Sequence, residues 1–272
     1  MIMRLKIDST MALNDGNKMP VLGLGTWKAK GKDVENAVLD ALKAGYRLID
    51  TAYMYGNEKE IGAAVKKSGV GRKEIFITTK IWEIQHANPE AAIEGALKAL
   101  GVDYIDLYLI HWPEEERLQT WKMFEKFKKQ GLCKSIGVSN FTISHLKELM
   151  KSMTVPAVNQ VEFNPFLYQK ELLDFCTSKN IVLEAYSPLS HGKSLKDSNL
   201  AAIAKKYKKS PAQIMLRWAL QHGTVPIPKS VHKERIEENV NVFDFVISDA
   251  DMKLLNALNR NFRTCWDPTN VP

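Results

Sequence analysis

Eight short apolar or β-branched runs, separated by helical stretches, constrain this chain more than any one motif does. They are VLGLGT (21–26), RLID (47–50), IFITTK (75–80), IDLYLIH (105–111), KSIGVSN (134–140), AVNQVEF (157–163), IVLEAYSP (181–188) and TVPIPK (224–229). The stretches between them carry helical periodicity with start and stop signals. KDVENAVLDALKAG sets Val34, Ala37, Val38, Ala41 and Leu42 on one face and ends at Gly45, suited to a left-handed C′ position. NPEAAIEGALKALG offers Asn88 as N-cap, Pro89 at N1 and Gly101 as terminator. SPAQIMLRWALQHG repeats that pattern with Ser210, Pro211 and Gly223.

Strands alternating with helices predict an α/β fold with a parallel sheet covered by helices. Eight units in a chain of 272 residues fit a (β/α)8 TIM barrel. The rival is an open doubly wound sheet, which would carry GxGxxG after its first strand if it bound a dinucleotide. Here Gly23 and Gly25 are present, but Lys28 holds the third glycine position. MALNDGNKMPV, ahead of the first run, reads as an N-terminal β-hairpin around Asp15-Gly16. No linker or low-complexity break interrupts the alternation, so one barrel domain over 1–272 is expected.

The net charge of +7 raises the question of nucleic acid, but the lysines are spread along nearly every segment and often paired with Glu. There is no basic stripe interleaved with aromatics, and no nucleic-acid partner is expected. No apolar run approaches the ~18 residues of a membrane span, and MIMRLKIDSTM lacks the apolar core of a secretory signal. Cys133, Cys176 and Cys265 are odd in number and contain no CxxC. Together these predict a cytoplasmic protein in a reducing compartment, without disulfides or structural zinc; a monomer is expected.

Catalytic groups of such barrels sit at the C-terminal ends of strands. Those positions hold Thr26, Trp27, Asp50, Lys80, His111, Ser139, Asn140, Gln160, Glu162, Tyr186, Ser187, Lys229 and Ser230, with Tyr55 shortly after the second run. Each alone has an ordinary explanation: a cap, a core histidine, a snorkelling lysine, a rim aromatic. Their collection at one ring argues against coincidence. A tyrosine donates a proton to a developing alkoxide if its pKa, normally ~10, moves toward neutrality. An ammonium ~4 Å away contributes roughly 4 kcal/mol at an effective dielectric of 20. A carboxylate such as Asp50 would keep that lysine charged, and a neutral histidine could orient a carbonyl oxygen. HxH, HExxH and GxSxG are all absent, which speaks against a metal site and an acyl-transfer elbow. Within RLIDTAYMYGNE, Tyr53 is expected to be a structural aromatic and Glu58 a first-turn residue favoured by the helix dipole.

The chain closely resembles the aldo-keto reductases over essentially its whole length. The matching stretches are LGLGTW (22–27), LIDTAYMYGNE (48–58), ITTKIW (77–82), YLIHWP (108–113), IGVSNF (136–141), NQVEFNPF (159–166), AYSPL (185–189) and IPKSVHKERIEEN (227–239). The resemblance implies a barrel that binds NADP(H) without a Rossmann fold and reversibly reduces aldehydes or ketones. It implies a catalytic tetrad in which Tyr55 is the general acid and Lys80 lowers its pKa, while Asp50 holds Lys80 and His111 orients the carbonyl. Ser139, Asn140 and Gln160 would hold the nicotinamide amide, Tyr186 would stack on the ring, and Ser187 and Leu189 would line the pyrophosphate path. Thr26, Trp27 and Asp50 complete that part of the cofactor site. Lys229, Ser230 and Arg235 would meet the 2′-phosphate, with Glu238 and Asn239 at the adenine. Cations beside a helix start suit that phosphate and predict NADPH over NADH. Trp27, Trp82 and Trp112 could wall an apolar substrate pocket. The short loops resemble the compact microbial branch, which includes keto-sugar and small-carbonyl reductases, and predict an open site. The alternative is an NADP(H)-binding regulatory or structural protein in which turnover is incidental.

Overall fold

The computed structural model describes residues 5–151 and 153–271; the first four residues of the N-terminal stretch read above lie outside these. Two short strands, β1 (Thr10–Ala12) and β2 (Lys18–Pro20), pair antiparallel as the expected hairpin. Gly16 adopts φ 88° in its turn, a conformation open to glycine, while Asp15 Oδ1 accepts the Asn17 N–H at 3.1 Å.

Eight parallel strands follow: β3 (Gly23–Gly25), β4 (Leu48–Asp50), β5 (Phe76–Ile81) and β6 (Ile105–Ile110), then β7 (Cys133–Ser139), β8 (Val158–Glu162), β9 (Val182–Tyr186) and β10 (Val225–Pro226). Each pairs with its sequence neighbours, so strand order equals chain order. The two edges meet where Gly25 bridges Lys229 and its N–H donates to the Pro228 carbonyl at 3.1 Å. Gly25 is required at this seam: a Cβ there would lie 2.7 Å from the Ile227 carbonyl oxygen. All eight runs of the sequence supply one strand each, and the barrel is the expected one.

The helices also form where their signals lie. Gly31–Lys43 buries Val34, Ala37, Val38, Ala41 and Leu42, and Gly45 takes φ 98° behind it. Asn88 caps Pro89–Leu100 by accepting the Ala91 N–H, and Ser210 caps Pro211–Gln221 in a reciprocal pair with Gln213.

Two apolar clusters result. The larger lies between strands and helices, and the smaller fills the barrel interior with Leu48, Phe76, Leu107, Leu109, Val158, Val182, Val225 and Ile227. Leu13 and Met19 of the hairpin join the interior cluster and close its N-terminal end. Asn14 anchors that plug by donating to the Pro156 carbonyl at 2.8 Å, and Asp15 pairs with Lys128 at 2.7 Å. Side chains alternate along a strand, so Asp50, Lys80, Gln160 and Glu184 share the inward face with these apolar residues. The interior is therefore dry at one end and charged at the other.

Candidate active site

At the charged end, the Lys80 ammonium donates to both Asp50 carboxylate oxygens and to the Thr51 carbonyl, each at 2.8 Å. Both side chains are almost wholly buried. An ion pair this deep is tolerated because all three Lys80 hydrogens are bonded and both Asp50 oxygens accept. The second Asp50 oxygen also accepts a Gln160 amide hydrogen at 2.7 Å. Thr26 donates to the Asp50 carbonyl at 2.8 Å, tying the β3 and β4 ends together.

Tyr55 lies in a short 3-10 turn, Tyr53–Tyr55, directly after β4, with Lys80 Nζ 5.1 Å from its ring centre. Its phenol is pushed well above the ordinary tyrosine range by burial, with Asp50, Cys265 and Glu184 acting in the same direction. The expected lowering toward neutrality is not present in this structure. The physical reason is burial of the phenol, to which the Asp50 charge adds in the same direction. His111 stands edge-on to Tyr55, ring centres 5.8 Å apart, and burial followed by the Lys80 charge drives its pKa well down. The imidazole is neutral, and its one N–H can still hydrogen-bond a carbonyl oxygen.

Ser139, Asn140 and Tyr186 form a chain beside this group. Asn140 donates to the His111 carbonyl at 3.0 Å and to Ser139 Oγ at 3.1 Å, and accepts the Tyr186 hydroxyl at 2.8 Å. Ser139 in turn donates to the Gln160 carbonyl at 2.9 Å.

A cavity of about 1370 Å³ opens over these residues. Of the residues singled out from sequence, Thr26, Trp27, Asp50, Tyr55, His111 and Trp112 line it, as do Asn140, Gln160, Tyr186, Ser187 and Leu189. It runs on to Lys229, Ser230, Arg235, Glu238 and Asn239. Lys80 and Ser139 lie beneath its floor. Trp82 is not part of the lining; its ring packs against His111 at 5.0 Å, so it backs the histidine. Tyr53 is 44 % exposed. Glu58 does begin a helix, but it is buried and accepts the Thr79 hydroxyl at 2.6 Å.

The far part of the cavity has the character of an anion site. Burial lowers the Lys229 ammonium, Asp33 opposes this, and the Arg235 guanidinium adds to it. Neither cation forms an ion pair among the described residues. Two cations outside any such pair, beside the start of the helix Lys233–Val240, fit a phosphate. The described residues include no group of three or more side chains able to hold a metal, and no helix long and apolar enough to cross a membrane.

Sequence reasoning named Glu162 as a strand-end residue without a role and missed other lining or supporting residues. Glu162 accepts the Thr264 and Cys265 N–H groups at 2.9 and 3.1 Å, pinning the C-terminal tail over the cavity. Trp266 of that tail tilts against Trp112 at 6.0 Å, and His191 packs on Trp27 at 5.5 Å. Glu184, buried in the middle of β9, accepts the second Gln160 amide hydrogen at 2.7 Å. The one signal for it was a carboxylate inside the apolar run IVLEAYSP.

A barrel with this polar end is the architecture of the Aldo/keto reductase family, whose model matches residues 21–260. The chain belongs to that family. It is 47% identical to a glyoxal reductase of Bacillus subtilis, over 99% of both chains. Among solved structures, it superimposes with a TM-score of 0.93 on an aldo-keto reductase from a deep-sea metagenome, at 45% identity, covering 96% of this chain and 99% of that one. A Bombyx mori aldo-keto reductase in complex with NADP gives a TM-score of 0.90 at 37% identity, covering 96% of this chain and 95% of that one.

Proposed function

We propose that this protein is an NADPH-dependent carbonyl reductase that interconverts aldehydes or ketones and alcohols, with Tyr55 as proton donor. The observation that carries the reading is the shared cavity. One part offers Tyr55 and neutral His111 above the buried Asp50–Lys80 pair, and another offers Lys229 and Arg235, neither in an ion pair among the described residues. The likeness to a reductase crystallised with NADP supports the cofactor, and family membership supports the reaction class.

Bound in this cavity, NADPH would supply a hydride to the carbonyl carbon. The residues of the chain do the rest. Tyr55 Oη carries its proton throughout the working pH range, because its pKa is raised, and gives it to the carbonyl oxygen as negative charge develops there. The phenolate left behind needs stabilisation, and the Lys80 ammonium, held charged by Asp50, is the nearest source. His111 hydrogen-bonds the same oxygen without competing for the proton. Gln160 holds the carboxamide, and Tyr186, fixed through its hydroxyl to Asn140, carries the ring. Trp27 and Trp112 shield one side of the reacting centre from water.

Following NADPH absorbance with glyoxal, longer aldehydes, 2-ketones and keto-sugars tests the reading. Turnover of at least one carbonyl class is expected. Tight NADPH binding with no turnover of any of them would refute catalysis and favour a regulatory role.

A further inference from the structure

Glu184 takes no part in the steps above, yet it is fully buried in the barrel interior, where a carboxyl group is costly. Its one side-chain partner is Gln160, whose Nε2 donates to Glu184 Oε2 and to Asp50 Oδ2, each at 2.7 Å. A primary amide has two hydrogens, and both are committed here. Turning the amide over would set its oxygen against the Asp50 carboxylate and give up both N–H bonds in a dry interior, which is strongly unfavourable. The orientation of Gln160 is therefore fixed from behind, and Gln160 itself lines the cavity. The only polar valence it has left is the amide oxygen.

Resting on the cofactor reading above, we infer that Glu184 is a positioning residue for the nicotinamide. It locks Gln160 so that the cavity offers an acceptor, and not a donor, to the carboxamide N–H. Asp50 alone cannot impose this, because one bonded hydrogen leaves the amide free to swing about it. Glu184 can do so without adding a second charge behind Asp50: burial, and then the Asp50 charge, push its carboxyl up to about 8. The groups around it are Asp50 from β4, Lys80 from β5, Gln160 from β8 and the Tyr55 phenol. Glu184 Oε1 has no hydrogen-bond partner among the described residues, a position far easier for a neutral acid than for a carboxylate.

Glu184→Met keeps the length of the side chain and removes the acceptor; Glu184→Gln restores one. NADPH dissociation constants are read from quenching of tryptophan fluorescence, alongside kcat and the melting temperature. Glu184→Met should bind NADPH about tenfold more weakly, or about 1.4 kcal/mol. Glu184→Gln should bind like the wild type. A cofactor analogue with an acetyl group in place of the carboxamide has no N–H to offer. The wild type should bind it about tenfold less well than NADPH, and Glu184→Met should not discriminate. Equal NADPH binding in wild type and Glu184→Met, or failure of Glu184→Gln to rescue, would overturn the inference. If Glu184→Met does not fold, the wild type alone decides: equal affinity for NADPH and the analogue overturns it. A wild type that binds no NADPH at all would instead overturn the proposed function, and the inference with it.

Discussion

The two ends of the barrel interior are made by the same strands and differ in almost every physical respect. β4 contributes Leu48 to one and Asp50 to the other, β8 Val158 and Gln160, and β9 Val182 and Glu184. A single pleat repeat, roughly 7 Å, separates a dry apolar layer from a layer of buried ions and amides. The apolar end, plugged by Leu13 and Met19, stabilises the fold through area removed from water. The polar end destabilises it, and persists because Asp50, Lys80 and Gln160 satisfy one another. The contrast teaches that the rigid lower layer is what allows so unfavourable a cluster to stay assembled.

Breaking the polar end should have the largest consequence. Lys80→Met leaves Asp50 buried without its counter-ion, and should cost about 3–5 kcal/mol in urea unfolding along with nearly all turnover. Breaking the apolar end should separate the two properties. Leu109→Ala opens a cavity in the interior layer and should cost about 2–5 kcal/mol, while kcat in the surviving folded protein stays within a few fold of wild type. Loss of turnover without loss of stability in Leu109→Ala would contradict the division.

A pH series sharpens the same comparison. Glu184 has a folded-state pKa raised from 4.5 to about 8, so between those values the unfolded chain ionises while the native state keeps its proton. The native state then binds more protons, and stability falls as pH rises. Relative to Glu184→Gln, the wild type should have its full stability below pH 4.5 and lose it progressively up to about 8. A flat difference between the two melting curves across that window would contradict the buried-acid assignment. The smallest effect belongs to the cavity's distant cations. Arg235→Ala should weaken NADPH about tenfold, or about 1.4 kcal/mol, and leave NADH unaffected, as measured by KM for each cofactor. Equal preference in wild type and Arg235→Ala would remove the phosphate role.

The architecture was legible in the sequence because strand and helix signals agree at every level. Each apolar run supplied a strand, and Asn88, Ser210 and Gly45 marked helix ends by chemistry that needs no tertiary context. The membership of the cavity was largely legible too, since a strand end in a barrel is a location as well as a residue type. What escaped was depth and charge balance. Glu184 sits one pleat below the strand end, and a reading confined to the strand ends passed over it although its alternation with Tyr186 turns it inward. The upward shift of Tyr55 depends on burial and on the nearby Asp50 charge, properties of the three-dimensional structure alone. Trp82 and Trp112 both follow strands, yet only the second faces the cavity.

The central claim is that Tyr55 donates the proton while the rest of the site binds cofactor without it. The most direct test measures NADPH affinity and single-turnover carbonyl reduction on wild type and Tyr55→Phe together. The account predicts unchanged NADPH affinity and melting temperature, with reduction slowed about 10²- to 10⁴-fold. Reduction by Tyr55→Phe at the wild-type rate would contradict it.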